Sequence, residues 1–244
     1  MMPQRDPRAL RAACAQPTDL AAWNRSLNRT HAMARLRTEG GSVVRAIEAR
    51  RRAGVATRVL RGRHDDVIDV GSEDGWMVEA WAPRVRRITM VDVDPLSLER
   101  VPFADDARVR RVVADVTNED QLREGLGGVL ADVIVLSAIL EHVPQPGRVL
   151  DALRPYLKAD GRFVIFVPAD GPILAIKRIL RHGRLGGLVR GLSLEPAPGH
   201  LHVFGRQNLR RLLTPRGRIE ELVFDPAVLG WHAVLRPHAD VGAR

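Results

Sequence analysis

The stretch VIDVGSEDGW, Val67 to Trp76, decides the fold of this chain. Residues 67–70 have the apolar character of a buried strand. Gly71 and Gly75 then bracket three polar residues, and a helix is predicted to begin at Trp76. A strand, a glycine loop and a helix in this order open many nucleotide-binding sheets, but Glu73 stands where such loops have a middle glycine.

The alternation of strand and helix continues along the chain. Nearly continuous apolar strands separated by helices predict a parallel sheet that is covered on both faces. The predicted strands are DVIDV (66–70), RITMVDVD (87–94), VRRVVADV (109–116), ADVIVLSAIL (131–140), GRFVIFVP (161–168), RIEELVF (218–224) and WHAVLR (231–236), and the predicted helices are GWMVEAWAPR (75–84), PLSLERV (95–101), EDQLREGLGGVL (119–130), PGRVLDALRPYLKA (146–159) and QNLRRLLTPRG (207–217).

Composition divides the chain into four predicted parts. Residues 1–60 form a basic helical cap, and residues 61–168 form the ligand-binding core. Residues 169–205 are amphipathic at first and then rich in Gly and Pro, which predicts a helical insertion that acts as a substrate lid. Residues 206–244 supply the last helix and the final two strands of the core.

The net charge of +9 is concentrated before the first strand. Residues 1–60 hold 12 arginines and four acidic residues, so nearly all of the excess lies there. A basic arm of this kind can bind nucleic acid or an acidic partner. The simpler explanation is a general preference for arginine, because Lys158 and Lys177 are the only lysines.

The cysteine content and the apolar runs bear on the compartment. Cys14 is the only cysteine, so no internal disulfide can form, as is typical of a reducing cytoplasm. No run of 18 apolar residues occurs, and the N-terminus has no long apolar stretch. We therefore expect no membrane span and no secretory signal, and we predict a cytoplasmic location.

Polar residues collect where the predicted parallel strands end. Ligands of open α/β sheets bind outside the carboxyl ends of the strands, so a ligand site is expected at that edge. The strand ends carry residues 69–75, 92–94, 115–116, 137–142 and 168–170.

Charge in the glycine loop separates two ligand classes. Glu73 and Asp74 would face the pyrophosphate of a dinucleotide, at a cost on the order of 3–4 kcal/mol for each contact at ~5 Å and an effective dielectric near 20. A ligand with an ammonium and a sulfonium, S-adenosylmethionine, tolerates the same acids. Asp92 lies 21 residues after Gly71, a suitable spacing for a ribose hydroxyl in either class.

Residues 67–168 resemble the class I S-adenosylmethionine-dependent methyltransferases, in the broad group with an E-H-V-P segment after the fourth strand. The fold implied is a Rossmann-like, doubly wound, mostly parallel seven-stranded sheet. The run from Asp132 to Pro168 is the most specific part, since strand, turn, helix, K-A-D-G turn and strand match in order. The matching segments are VIDVGSEDG, ITMVDVD, VVADV, VIVLSAILEHVPQPGRVLDALRPYLKADGRFVIFVP and GHLHVFGRQNLRRLL.

The resemblance implies a set of cofactor-binding residues. The loop after the first strand cradles the methionine part, Asp92 holds the ribose, and Asp115 binds the adenine amino group. Ser137 and Ile139 lie beneath the transferred methyl group. The full set is Asp69, Gly71, Ser72, Glu73, Gly75, Asp92, Val93, Asp115, Val116, Ser137 and Ile139.

Two residues depart from the family pattern. Glu73 replaces a glycine, and if its φ is positive the strain is about 1–3 kcal/mol and cofactor affinity is expected to fall. Ala138 replaces an acid that some relatives use for a metal, so no metal site is predicted.

Histidines are the candidate catalytic bases. His142 lies in the E-H-V-P turn, and its structural alternative is to cap that turn and fix Glu141. His200 and His202 share a side if their segment is extended, so they would contact substrate or, less plausibly, bind a metal as a pair. Asp170 either lines the substrate mouth or is a solvated loop acid, and Trp76, Trp81 and His232 are expected to pack in the core.

The leading functional hypothesis is methyl transfer from S-adenosylmethionine to oxygen or nitrogen of a small molecule in bacterial specialised metabolism. The alternatives are an RNA or protein methyltransferase that uses the basic arm, a non-catalytic methyltransferase-like binding protein, and a nicotinamide oxidoreductase, which the loop charges disfavour. A basic amphipathic helix is predicted over 23–36, and we expect it to be solvated. The alternative, implied by related enzymes, is that it closes over the cofactor and that Asn28, His31 or Arg35 contacts substrate. A homo-oligomer is compatible with the sequence.

Overall fold

A seven-stranded mixed sheet in the order β3-β2-β1-β4-β5-β7-β6 forms the centre of the molecule, as a computed structural model shows. The structure describes residues 42–62, 66–101, 103, 105–172 and 200–238. The strands are β1 (Asp66–Val70), β2 (Arg87–Asp92), β3 (Val109–Val113), β4 (Ala131–Ser137), β5 (Leu157–Pro168), β6 (Gly217–Asp225) and β7 (Gly230–Pro237). The helices are α1 (Ser42–Val59), α2 (Pro95–Glu99), α3 (Glu119–Leu126), α4 (Pro146–Leu153) and α5 (Arg206–Leu213).

Strands β1 to β5 run parallel, and β7 is antiparallel to both β5 and β6. The predicted mostly parallel, doubly wound sheet is therefore confirmed, with the hairpin of the last two strands at one edge. All seven predicted strands form, and β1 has the predicted bounds.

Apolar side chains cover both faces of the sheet, as the sequence of nearly continuous apolar strands predicts. One face packs against α3, α4 and α5 through residues such as Leu122, Leu150 and Leu209. The other packs against α1 and the segment after β1, where Val55 and Trp81 are fully buried. Trp76 is half-buried beside this second cluster, with the Arg52 guanidinium carbon 4.9 Å from its ring centre.

Two local predictions are wrong. The segment after the glycine loop forms two short 3₁₀ turns, Val78–Ala80 and Ala82–Arg84, instead of a helix. Pro83 has no N–H to continue a helical ladder. The predicted helix over 146–159 ends at Leu153, and the K-A-D-G segment belongs to β5, where the pairing shifts between Ala131 and Val133. Pro155 again explains the early end.

The predicted N-terminal cap and lid lie mostly beyond the described residues. Of the cap, the structure describes helix α1 and Leu60, which follows it. The predicted helix over 23–36, with Asn28, His31 and Arg35, and residues 173–199 of the insertion lie outside the described residues.

Candidate functional site

The loop after β1 is anchored to the neighbouring strand through its backbone. The N–H of Gly71 donates to the Val91 carbonyl at 2.7 Å, and the N–H of Gly75 donates to the Ser72 carbonyl at 2.9 Å. Both glycines have positive φ, +72° and +78°. A Cβ on Gly71 would lie 1.9 Å from Cδ1 of Ile139, so the loop and the segment after β4 meet at this glycine.

Glu73 has the left-handed backbone conformation that the family pattern assigns to glycine. Its φ is +47°, and its N–H donates to Oδ2 of Asp92 at 2.9 Å. A non-glycine residue in this region costs about 1–2 kcal/mol, and the hydrogen bond to Asp92 holds the backbone there. The condition for the predicted strain at Glu73, a positive φ, is therefore fulfilled.

Asp69 and Asp92 place two buried carboxyl groups beside the loop. Burial raises the pKa of Asp69 to about 7, and the Asp92 and Glu73 carboxylates act in the same direction. Burial also raises the pKa of Asp92, whose Oδ1 accepts from the Asp94 N–H at 2.9 Å. A cationic ligand group beside these acids would lower the cost of their charge.

Asp115 follows the end of β3 by two residues and is buried. Its Oδ1 accepts from the N–H and the hydroxyl of Thr117, at 2.8 and 2.7 Å. Its own N–H donates to Gln121 at 2.8 Å. Val116 packs against the core beside it, and Val93 is half-buried at the end of β2.

The segment after β4 combines a strained residue with an unpartnered hydroxyl. Ala138 has a φ of +60°, and its N–H donates to the Phe166 carbonyl at 2.9 Å. Among the described residues, the buried Oγ of Ser137 has no hydrogen-bond partner. A buried hydroxyl of this kind costs free energy unless a ligand or water satisfies it, so Ser137 fits a ligand-binding role.

Glu141 is a buried acid at this edge of the sheet. Its side chain is 0% exposed, and within the described part of the chain neither carboxylate oxygen has a hydrogen-bond partner. Burial raises the pKa of Glu141 to about 7, although its own backbone N–H and the charges of His200 and Arg51 oppose the rise. Its backbone carbonyl accepts from the N–H groups of Leu201 and His202, at 2.7 and 3.3 Å.

His142 and His200 lie together beside Glu141. Their rings meet edge to face, with 4.9 Å between centroids. Asp170 contacts Nδ1 of His200 with both carboxylate oxygens at 2.9 Å. One ligand atom from each of Glu141, His142 and His200 lies within 4.8 Å of the others.

His202 has a different environment. Its Nε2 lies 2.9 Å from the Val143 carbonyl and 3.2 Å from the Pro144 carbonyl, so it ties its segment to the E-H-V-P turn. The two side chains therefore have different partners, which gives no support to a metal-binding His200–His202 pair, and contact of either histidine with substrate stays a prediction. The segment is held by backbone bonds to Glu141 and by these carbonyls, not by a regular strand.

Sequence reasoning undervalued two residues. Asp170 is buried and bound to His200, whereas the sequence left it between a mouth residue and a solvated acid. Arg51 from α1 lies near Glu141 and 5.6 Å from the Phe166 ring centre. No local pattern signals either contact, because the partners are 30 or more residues apart.

His232 is buried in β7, as expected for a packing residue. Its side chain is 0% exposed, and its ring centre lies 5.0 Å from that of Phe166. Burial lowers the pKa of His232 to about 4, and the nearby Arg58 charge adds to the effect.

Comparison with known proteins places this site in context. A family model described as a methyltransferase domain matches residues 21–217. No curated protein sequence is significantly similar to the chain. Within the described residues, no helix is long and apolar enough to cross a membrane.

Three solved structures illustrate the fold similarity. The 1,6-didemethyltoxoflavin-N1-methyltransferase of Burkholderia thailandensis, with 1,6-didemethyltoxoflavin and S-adenosylhomocysteine bound, is 20% identical; the match covers 97% of this chain and 92% of that chain, with a TM-score of 0.61. The N-methyltransferase NodS of Bradyrhizobium japonicum WM9, with S-adenosylhomocysteine, is 19% identical over 78% of this chain and 87% of that chain, with a TM-score of 0.56. The plantazolicin methyltransferase BpumL, with S-adenosylhomocysteine, is 14% identical over 95% and 97%, with a TM-score of 0.60. At these identities the similarity establishes the fold alone.

Proposed function

Because the chain belongs to the methyltransferase domain family, whose model matches residues 21–217, we propose that it transfers a methyl group from S-adenosylmethionine to oxygen or nitrogen of a small molecule. The observation that carries the proposal is the close contact between the loop after β1, at Gly71, and the segment after β4, at Ile139. This contact brings the glycine loop and the histidine-bearing turn to one edge of the sheet. All three solved structures described above are methyltransferases with S-adenosylhomocysteine bound, and one also holds its small-molecule acceptor.

The residues at this edge fit the methyl donor. Asp69 and Asp92 supply buried acids beside the positions proposed for the ammonium and the ribose, and Asp115 is proposed to bind the adenine amino group. Ser137 offers a hydroxyl that has no protein partner among the described residues. We propose that the remaining predicted residues also contact S-adenosylmethionine. They are Gly71, Ser72, Glu73, Gly75, Val93, Val116 and Ile139.

When bound, S-adenosylmethionine supplies a methyl group that its sulfonium has already activated. The chain therefore has to align the acceptor and exclude water, and orientation of this kind contributes ~7–11 kcal/mol to barrier lowering in favourable cases. His200, oriented by Asp170, is proposed to accept the proton of a hydroxyl acceptor, with His142 beside it. A positioned base adds roughly 10²–10⁴-fold. His202 is proposed to hold the turn rather than to touch the acceptor.

The division of labour along the chain is part of the proposal. Residues 61–168 and 206–244 form the donor-binding core, and the cap (1–60) and the insertion (169–205) would enclose the acceptor. An enclosed pocket favours a small molecule over RNA or a folded protein.

Calorimetric titration of the purified chain with S-adenosylhomocysteine tests the proposal, with NAD as the control. Binding in the micromolar range is expected for S-adenosylhomocysteine and none for NAD, because Glu73 and Asp74 oppose a pyrophosphate. A folded sample free of co-purified ligand that binds NAD, or that does not bind S-adenosylhomocysteine, would contradict the proposal.

A further inference from the structure

Three side chains that follow β4 or the insertion converge on one point. We call Glu141, His142 and His200 the Glu–His–His cluster. One carboxylate oxygen of Glu141 and one imidazole nitrogen of each histidine lie within 4.8 Å of one another, although His200 is 58 residues after His142. Three atoms bound to one cation at about 2.1 Å lie about 3–4 Å apart, so side-chain rotations that contract the cluster by roughly 1 Å would close it on an ion.

The Glu141 carboxylate points to an ion rather than to a chance cluster. It is 0% exposed, and neither oxygen has a hydrogen-bond partner among the described residues. A buried acid without partners is costly, and buried charges in proteins are normally paired or bound to metals. Arg51 does not hydrogen-bond to it; one Arg51 nitrogen donates to Glu48 at 2.7 Å.

The contact between Asp170 and His200 is typical of a metal ligand. Histidines that bind metals usually donate their other ring N–H to a carboxylate, which fixes the tautomer and the ring orientation. Asp170 contacts Nδ1 of His200 with both oxygens at 2.9 Å, which assigns Nε2 to the cation. Asp170 itself is buried, so this orienting contact is shielded from solvent.

The donor set selects the class of cation. Two imidazole nitrogens and one carboxylate oxygen suit zinc, manganese, cobalt or iron, whereas magnesium and calcium prefer sets made of oxygen. Three protein ligands leave positions for water or substrate, as in catalytic rather than structural sites.

We infer that the Glu–His–His cluster binds a divalent transition cation whose open positions hold the hydroxyl oxygen of the methyl acceptor. This role of the cation rests on the proposed function, whereas its binding does not. The hydroxyl loses its proton to solvent, and its oxygen forms the new bond to the methyl carbon. The electron pair of the broken carbon–sulfur bond stays on sulfur, which becomes a neutral thioether. A bound cation makes the oxygen a better nucleophile at neutral pH, and His200 then acts as a ligand instead of a base.

The test is a cobalt titration of the tag-free, full-length chain after treatment with a chelator. Visible absorption reports the coordination of Co²⁺, and elemental analysis after dialysis gives the stoichiometry. About one Co²⁺ or Zn²⁺ per chain is expected, and millimolar Mg²⁺ should not displace it. Displacement by Mg²⁺, or the absence of binding, would overturn the inference.

Variants assign the ligands. Glu141→Gln, His142→Gln and His200→Gln should each weaken binding by about 100-fold or more, and Asp170→Asn by about 10–100-fold. His238→Gln is the matched control that should bind as the wild type does, since His238 lies outside the cluster. Wild-type affinity in both His142→Gln and His200→Gln, or loss in the control, would overturn the assignment.

Binding of S-adenosylhomocysteine to the same metal-free samples separates the two proposals. A metal-free chain that binds it but takes up no cation contradicts the cluster alone. A chain that takes up one cation but does not bind S-adenosylhomocysteine contradicts the proposed methyl transfer and leaves the metal site standing. Circular dichroism of each variant establishes that the fold is retained.

Discussion

Charged side chains form ion pairs at the amino end of the sheet, whereas at the carboxyl end burial raises the pKa of the acids Asp69, Asp92 and Glu141. At the amino end, Arg87 contacts Asp66 with two nitrogens at 2.6 and 2.8 Å, and Lys158 lies 2.8 Å from both Asp66 and Asp132. The Arg87 hydrogen bond holds the pKa of Asp66 well below its usual range.

At the carboxyl end the pKa values move in the opposite direction. Burial raises the pKa of Asp69 and of Glu141 to about 7. The left-handed dihedral angles of Gly71, Glu73 and Ala138 lie at the same end. One end of the sheet is thus arranged for stability, while the other carries strain and unsatisfied polar atoms, which proteins retain where a ligand binds.

The largest expected effect is at Gly71. In Gly71→Val the new side chain would meet Ile139, and a β-branched residue at a φ of +72° is strongly disfavoured. Strain and overpacking together should weaken S-adenosylhomocysteine binding by about 1,000-fold. Calorimetry measures the affinity, and Gly128→Val is the control because an added Cβ there meets nothing within 4 Å. Wild-type affinity in a folded Gly71→Val chain would separate this edge from donor binding.

The second effect is a loss of stability on acidification through His232. Its folded pKa is about 4 against 6.5 in the unfolded chain, so the unfolded chain takes up the proton first as the pH falls. The contribution is present in full above pH ~6.5 and declines by about 3 kcal/mol towards pH ~4.

The difference in unfolding free energy between wild type and His232→Leu, measured in urea at several pH values, isolates this effect. The raised pKa values of Asp69 and Glu141 act in the opposite direction, but they are present in both proteins and cancel. A difference that does not change between pH 7 and pH 4.5 would show that His232 is solvated.

A third test sharpens the contrast between the two ends. Asp66→Asn removes the shared partner of Arg87 and Lys158 and should lower the urea midpoint by about 1 M. The affinity for S-adenosylhomocysteine should stay the same, since Asp66 lies at the opposite end of β1 from the loop. A variant that loses affinity while keeping its stability would reverse the roles assigned to the two ends.

The smallest expected effect is at Glu73. Glu73→Gly relieves left-handed strain that is present without ligand, so it should raise the free energy of unfolding by about 1 kcal/mol and leave S-adenosylhomocysteine affinity unchanged. Leu229→Gly relaxes a similar dihedral angle, φ +48°, in the turn between β6 and β7, and should leave the affinity unchanged. Weaker binding by Glu73→Gly would indicate that the glutamate side chain contacts the donor.

Local sequence patterns predicted the strands and most helices, but they did not predict the tertiary contacts between loops. Strand β1 follows from five successive residues, and the paired glycines identify the loop. The two 3₁₀ turns within residues 78–84 were missed because the apolar spacing suggested a helix, whereas Pro83 has no N–H to continue a helical ladder. The encounter of Asp170 and His200, and the separation of His202 from His200, depend on how an insertion returns to the sheet, which periodicity does not encode.

The bond between Asp170 and His200 joins the point where the insertion leaves the core to the point where it returns. The two ends of the intervening segment are fixed to each other independently of its sequence. Doubling the length of a closed loop costs only about 0.6 kcal/mol, so insertions, deletions and replacements between these anchors are cheap. If the insertion encloses the acceptor as proposed, changes in this segment alter acceptor choice while the proposed donor site at the other loops of this edge stays the same.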